Sequence, residues 1–150
     1  MPTADAKIFI EKYFNTYSSV KTYMQSSVDK ARENGYVSTL LGRIRKIEDI
    51  NSTNKGKRNF AERAAMNMPL QGTASDIIKI AMVHVQNEMK KQNLKSKLIL
   101  QIHDELVVDC VNGEEEIVKK ILKEKMENAV KLSVPLDVQI SIGDDWYEAK

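Results

Sequence analysis

The sequence has little cysteine, proline and glycine, and each shortage excludes a class of protein. Its one cysteine, Cys110, cannot form an internal disulfide and indicates a reducing compartment. Three prolines and six glycines in 150 residues exclude a collagen-like or low-complexity chain. No apolar run approaches the length that spans a bilayer, and the amino terminus has no secretory signal. We therefore expect a cytoplasmic protein with no membrane partner.

The chain also lacks a large excess of either charge. It has 23 basic and 21 acidic residues, with 42% hydrophobic and 29% charged residues, which is ordinary for one soluble domain. The charge is nevertheless uneven, because residues 42–63 carry seven basic residues against three acidic ones. This basic patch predicts contact with phosphates. Its members are Arg43, Arg45, Lys46, Lys55, Lys57, Arg58 and Arg63.

Two hydrophobic runs of strand type flank the tripeptide His103-Asp104-Glu105. Runs that meet with almost no spacer predict an antiparallel hairpin, which places the carboxylates of Asp104 and Glu105 at its tip. Mg²⁺ prefers one or two carboxylates together with phosphate oxygens, so the tip is a candidate metal site. The alternative is that Asp and Glu simply tolerate a turn.

Three polar residues, Arg63, Asn67 and Gln71, follow one another at four-residue spacing, which places them on one helical face. All three can donate hydrogen bonds to phosphates and to the acceptors that every base pair shows in the minor groove. A solvated helix face is the alternative. Because Pro69 lacks an N–H, we expect one helix to end near Asn67 and another to begin at Pro69.

The remaining patterns predict an α+β fold, in which an antiparallel sheet centred on the acidic hairpin and a final strand is backed by helices. Phe9, Ile10, Tyr13 and Phe14 share one side of the first helix, and we expect them to pack in a core rather than to stack on bases. The predicted elements are helices 3–16, 18–34 and 114–131, a hairpin of 36–40 with 43–47, an exposed loop 51–56 and a strand 134–142.

Several motifs together resemble one family. They are Gly35-Tyr-Val-Ser-Thr-Leu-Leu-Gly-Arg43, Ala61-Glu-Arg-Ala-Ala, Asn67-Met-Pro-Leu-Gln-Gly-Thr-Ala-Ser-Asp76, Gln101-Ile-His-Asp-Glu-Leu-Val and Ile142-Gly-Asp-Asp-Trp146. In this order they are similar to the carboxy-terminal part of the bacterial DNA polymerase I family (family A). The resemblance implies part of the palm and the base of the fingers, with 1–34 a helical segment, 35–92 a DNA-contacting segment and 93–150 the palm hairpin, helix and final strand.

The resemblance also implies template-directed DNA synthesis, with primer–template DNA and deoxynucleoside triphosphates as partners and a two-Mg²⁺ site in the intact enzyme. The family's third polymerase motif would be His103-Asp104-Glu105, with Asp104 the metal ligand, Glu105 an auxiliary ligand and His103 near the primer terminus. Arg63, Asn67 and Gln71 would follow the duplex. The residues implied to contact phosphates are Arg43, Lys57 and Arg58.

The sequence lacks two large parts of the family pattern. It contains neither the family's first motif, Asp-Tyr-Ser-x-x-Glu-Leu-Arg, nor the fingers helix that grips the incoming triphosphate. We therefore expect a fragment or a truncated gene product, monomeric, that binds DNA and a divalent metal weakly but does not polymerise. The alternatives are a non-catalytic DNA-binding module, a metal nuclease using Asp104 and Glu105, and an inert chain.

Overall fold

The computed structural model describes residues 3–149. In this range the chain forms four helices and two separate two-stranded antiparallel sheets, which confirms the α+β prediction. Across these residues no helix combines the length and apolarity needed to cross a bilayer. The elements are α1 (Thr3–Thr16), α2 (Ser18–Asn34), β1 (Tyr36–Ser38), β2 (Ile44–Lys46), α3 (Lys55–Lys91), β3 (Lys97–Ile102), β4 (Glu105–Asp109) and α4 (Glu115–Glu127).

The chain divides into two compact units, an amino-terminal unit (Met1–Thr73) and a carboxy-terminal unit (Ala74–Lys150). In the amino-terminal unit, α2 ends at Asn34 and is capped by Gly35. The φ of Gly35 is 75°, which suits a glycine, and its N–H donates to the Ala31 carbonyl over 2.8 Å. The predicted hairpin is confirmed, with β1 and β2 antiparallel. The core of this unit is formed by Val28, Ala31, Val37, Ile47, Ile50, Ala61 and Ala65.

The apolar side of α1 does not enter that core, so our prediction for it was wrong. The side chains of Phe9, Ile10 and Tyr13 are 66%, 52% and 43% exposed. The buried residues of the unit's core come from α2, β1, the segment after β2, and α3, which leaves α1 outside it within the described residues. Its aromatic rings instead contact one another, with the ring centroids of Tyr13 and Phe14 5.4 Å apart.

The predicted helix break at Pro69 is absent, because α3 continues through the proline from Lys55 to Lys91. Proline inside a helix removes one backbone hydrogen bond and crowds the preceding turn. Burial on both sides of Pro69 offsets this cost, since Ala65 is fully buried before it and Ala81 is almost fully buried after it. The Thr73 hydroxyl donates to the Pro69 carbonyl over 2.5 Å. Local propensity is therefore overridden by packing.

In the carboxy-terminal unit, the β3–β4 hairpin packs on the later part of α3 and on α4. Val85 and Met89 of α3 are buried with Val118, Ile121 and Leu122 of α4. Leu106, Val108 and Ile140 are partly buried against this cluster. The helix predicted for 114–131 is confirmed in substance as α4, Glu115–Glu127.

The prediction of a final strand over 134–142 is wrong, because these residues form no β-ladder. The alternation that suggested it is nevertheless present: Leu136, Val138 and Ile140 are half-buried, while Asp137 and Gln139 are exposed. Packing of Ile140 on the core accounts for the alternation. Period-two patterning reports which face is buried and does not require a hydrogen-bonded neighbour.

Candidate functional site

The acidic hairpin forms as predicted, with His103 and Asp104 as a two-residue turn. Ile102 of β3 pairs with Glu105 of β4 across the end of the ladder. His103 has a φ of 52°, in the left-handed region that few residues other than glycine adopt. The Gln101 side-chain amide donates to the His103 carbonyl over 2.6 Å. The turn is thus stabilised by a side-chain hydrogen bond from β3 as well as by strand pairing.

A β-bulge lies in β3 below the tip. Leu98 pairs with Val108, but the next pair along is Leu100 with Val107, which leaves Ile99 as an extra residue. A bulge reverses the inward and outward alternation beyond it. Sequence reasoning missed both the bulge and the role of Gln101. The signal for Gln101 was a polar residue within the apolar run 98–102, two positions before the turn.

Asp104 and Glu105 are both exposed, and neither carboxylate accepts a hydrogen bond or forms an ion pair within residues 3–149. In that range no group of three or more His, Cys, Asp or Glu residues is arranged to hold a metal ion. Two adjacent hard oxygen donors fit Mg²⁺, which commonly binds through one or two carboxylates and keeps several waters. They do not form a closed protein cage.

The polar face of α3 lies in the amino-terminal unit. Arg63, Asn67 and Gln71 are all exposed, and none of the three side chains is engaged by another described residue. Phe60 and Leu70, at neighbouring positions of the helix, are also exposed, at 68% and 62%. The face is therefore open to a large ligand and combines donor groups with apolar surface.

The start of α3 carries two of the basic residues named for phosphate contact. Lys57 is exposed, whereas Arg58 is half-buried and donates to the Ser52 carbonyl over 2.9 Å. The Asn54 carboxamide oxygen accepts from the N–H groups of Gly56 (2.9 Å) and Lys57 (3.2 Å). This capping role of Asn54 was missed, although an Asn just before a helix is its usual signal. Arg58 therefore also stabilises the loop that precedes α3.

Arg43 follows the turn of the β1–β2 hairpin, which is attached to α3 beside Gln71. Thr39 Oγ1 accepts from the Arg43 N–H over 3.1 Å, and the Thr39 N–H donates to the Arg43 carbonyl. A Cβ on Gly72 would lie 2.5 Å from the Thr39 methyl carbon, so only glycine permits this approach. The Leu40 N–H also donates to Thr73 Oγ1. These contacts bring the Arg43 backbone to the part of α3 that carries Gln71.

The base of the acidic hairpin is held by Glu114, just before α4. Its carboxylate accepts from the N–H groups of Lys95 (3.0 Å) and Ser96 (2.9 Å) and from the Ser96 hydroxyl (2.6 Å). These bonds, the Lys95 N–H first among them, lower the pKa of Glu114 below its ordinary value of 4.5. The Ser96 hydroxyl in turn accepts from the N–H of Val111, after β4. Both ends of the hairpin are therefore tied to one carboxylate.

The sequence-predicted site residues fall into two sets. His103, Asp104 and Glu105 form one turn in the carboxy-terminal unit. The other six lie in the amino-terminal unit, on α3 and on the β1–β2 hairpin. These six are Arg43, Lys57, Arg58, Arg63, Asn67 and Gln71.

Comparison with known proteins gives a consistent result. The chain is 53% identical over 146 residues to DNA polymerase I of Caldicellulosiruptor bescii, a match that covers 97% of this chain and 17% of that protein. It is 46% identical over 146 residues to DNA polymerase I of Bacillus subtilis, with the same coverage. The chain thus spans about a sixth of the length of the curated relatives it matches.

A solved structure has the same fold. It is the POL domain of Pol1 from M. smegmatis in complex with DNA primer-template and dNTP, with a TM-score of 0.97 and 42% identity. The match covers 99% of this chain and 26% of that one. The family model for DNA polymerase family A matches residues 1–148. The chain therefore belongs to DNA polymerase family A.

Proposed function

We propose that these 150 residues contribute one metal-binding carboxylate and a DNA-binding surface to template-directed DNA synthesis. The observation that carries the proposal is the two-residue turn, which leaves the Asp104 carboxylate exposed and unpaired at the tip of the β3–β4 hairpin. Support comes from the family and from the solved relative, whose complex contains DNA primer-template and dNTP. Those ligands give the partners that we propose here.

Asp104 is the proposed metal ligand, because a turn fixes the direction of a short carboxylate better than a mobile loop does. Glu105 is auxiliary and orients water, and His103 lies near the primer terminus. Mg²⁺ held by Asp104 would supply charge neutralisation at the phosphates and would favour ionisation of the primer hydroxyl. The residues of this chain hold the metal and orient its ligand: the turn fixes the position of the Asp104 carboxylate and leaves the hairpin tip open to solvent and ligand.

Duplex DNA is the proposed ligand of α3. Arg63, Asn67 and Gln71 are exposed donors on one face, and the minor groove shows acceptors at similar places in every base pair. Binding without sequence preference follows from this chemistry. Phosphate contacts are added by Lys57, Arg58 and Arg43. The contact of Arg58 is limited, because its guanidinium already donates to the Ser52 carbonyl.

A second candidate function is a DNA-binding module that does not polymerise. Two observations favour it for the chain by itself. Within residues 3–149 no group of three or more His, Cys, Asp or Glu residues is arranged to hold a metal ion, and the first polymerase motif is not among the 150 residues. Phosphoryl transfer depends on positioned charges around the phosphates. We propose that the isolated chain, a cytoplasmic monomer, binds DNA and divalent metal weakly and does not extend a primer.

A salt titration of duplex binding tests the DNA surface. Binding of a fluorescent duplex, followed by anisotropy between about 50 and about 200 mM salt, should weaken steeply. Lys57→Ala should flatten the log–log slope by about one, and Gln71→Ala should weaken binding with the slope kept. The matched control is Lys120→Ala, an exposed lysine of α4. Identical slopes for Lys57→Ala and Lys120→Ala would remove Lys57 from the interface.

Titration with Mn²⁺ tests the metal site. Paramagnetic broadening of amide signals should begin at Asp104 and Glu105, with an affinity of about millimolar or weaker because most of the metal's ligands are water. Asp104→Asn should remove the effect. Broadening that spares the tip and appears elsewhere would contradict the assignment.

A further inference from the structure

Gln101 makes a hydrogen bond that pairing of β3 with β4 does not require. Its side-chain amide donates to the carbonyl of His103, two residues along the same chain, over 2.6 Å. Gln101 itself is paired with Leu106 in the ladder, so its backbone position is fixed. A donor on a fixed strand therefore reaches the turn that carries Asp104.

The accepting carbonyl belongs to the peptide unit that joins His103 to Asp104. The orientation of that peptide plane fixes the position of the Asp104 Cα, and with it the direction in which the Asp104 side chain projects from the turn. His103 needs this support, because its φ of 52° is unfavourable for a residue with a Cβ. Neither Asp104 nor Glu105 receives a side-chain hydrogen bond within residues 3–149, so nothing else in that range fixes the carboxylates directly.

We propose that Gln101 is a positioning residue, which holds the His103–Asp104 turn in the conformation that presents the Asp104 carboxylate to a divalent cation. The inference rests on the proposed metal role of Asp104 and adds the residue that orients it. Second-layer groups of this kind commonly tune metal affinity without touching the metal. Gln101 makes no contact with the ion in this account.

The test uses Gln101→Met, which keeps the length of the side chain and removes the donor. The matched control is Gln92→Met, because Gln92 makes a comparable exposed side-chain bond to Glu88, over 2.7 Å, in the same unit. Both variants and the unsubstituted 150-residue chain are studied by NMR, first without metal and then in a Mn²⁺ titration.

Without metal, Gln101→Met should change the residual dipolar couplings at His103 and Asp104, while the rest of the spectrum and the urea midpoint match those of Gln92→Met. In the titration it should weaken Mn²⁺ binding at the tip by about fivefold, the value of one hydrogen bond, and Gln92→Met should not. An unchanged turn, or equal Mn²⁺ affinity in the two variants, overturns the positioning role and leaves Asp104 as a ligand. Absence of Mn²⁺ binding at the tip in the unsubstituted chain overturns both.

Discussion

Single residues other than the predicted site residues hold the two candidate surfaces in place. Asp104 was named from the sequence because two carboxylates stand at a predicted turn. Glu114 and Gly72 were not, because their roles depend on backbone groups that lie close only in the folded chain. No periodic signal in a sequence marks a carboxylate that accepts hydrogen bonds from backbone N–H groups. The same is true of a glycine that allows a threonine side chain to pack against a helix.

Glu114 should make stability depend on pH. Its pKa is lowered in the folded chain, so its contribution is fully present above about pH 4.5 and is lost as the pH falls through the folded-state value. Glu114→Gln should therefore be less stable than the unsubstituted chain near neutral pH, and the gap should narrow in acid. Urea unfolding of the two proteins at a series of pH values measures this. A gap that widens below pH 4.5 would contradict the account.

Gly72→Ala should destabilise the amino-terminal unit by about 1–3 kcal/mol, because the new methyl would overlap the buried Thr39 side chain. It should also weaken duplex binding, since the β1–β2 hairpin that carries Arg43 would move from α3. The double variant Gly72→Ala with Thr39→Ser removes the obstructing methyl and keeps the hydroxyl. Denaturation and anisotropy should show recovery in this double variant, and equal loss in both would refute the steric cause.

Among the elements, those whose signals are local were predictable. The ends of α1 and α2, both hairpins and α4 follow from apolar spacing, turn chemistry and the glycine after α2. Where tertiary packing decided the outcome, local rules failed. Pro69 indicated a helix end, yet α3 is continuous, and 134–142 alternate without forming a ladder. Exposure of the α1 aromatic face could not be foreseen, because a pattern shows which side is apolar but not what covers it.

The continuity of α3 predicts the effect of replacing its proline. Pro69→Ala restores a backbone N–H that can donate to the Ala65 carbonyl, and it should stabilise the chain by about 1–3 kcal/mol. Urea denaturation followed by circular dichroism at 222 nm measures the change. A neutral control is Leu70→Gln, which alters an exposed neighbour. Destabilisation by Pro69→Ala would mean that the proline, and not the packing, sets the helix.

For the whole molecule, the sequence motifs were sufficient to place the chain in its family, and the comparisons agree. The two units carry different parts of the proposed activity, with the carboxylate tip in one and the DNA-binding face in the other. What the motifs did not reveal is the support beneath them: the bulge at Ile99, the bond from Gln101 and the Glu114 anchor. Each depends on geometry that forms only when the strands pair.

Primer extension by a chimera tests the central claim most directly. In it, this chain replaces the matching 146 residues of DNA polymerase I of C. bescii, to which it is 53% identical. The chimera should extend a primer with Mg²⁺, and the isolated chain should not. Asp104→Asn in the chimera should lower the rate by roughly a thousandfold, while the control Asp137→Asn, at an exposed position outside the site, should not. Extension by the Asp104→Asn chimera at the rate of the unsubstituted chimera would contradict the role of Asp104 on which the proposed function rests.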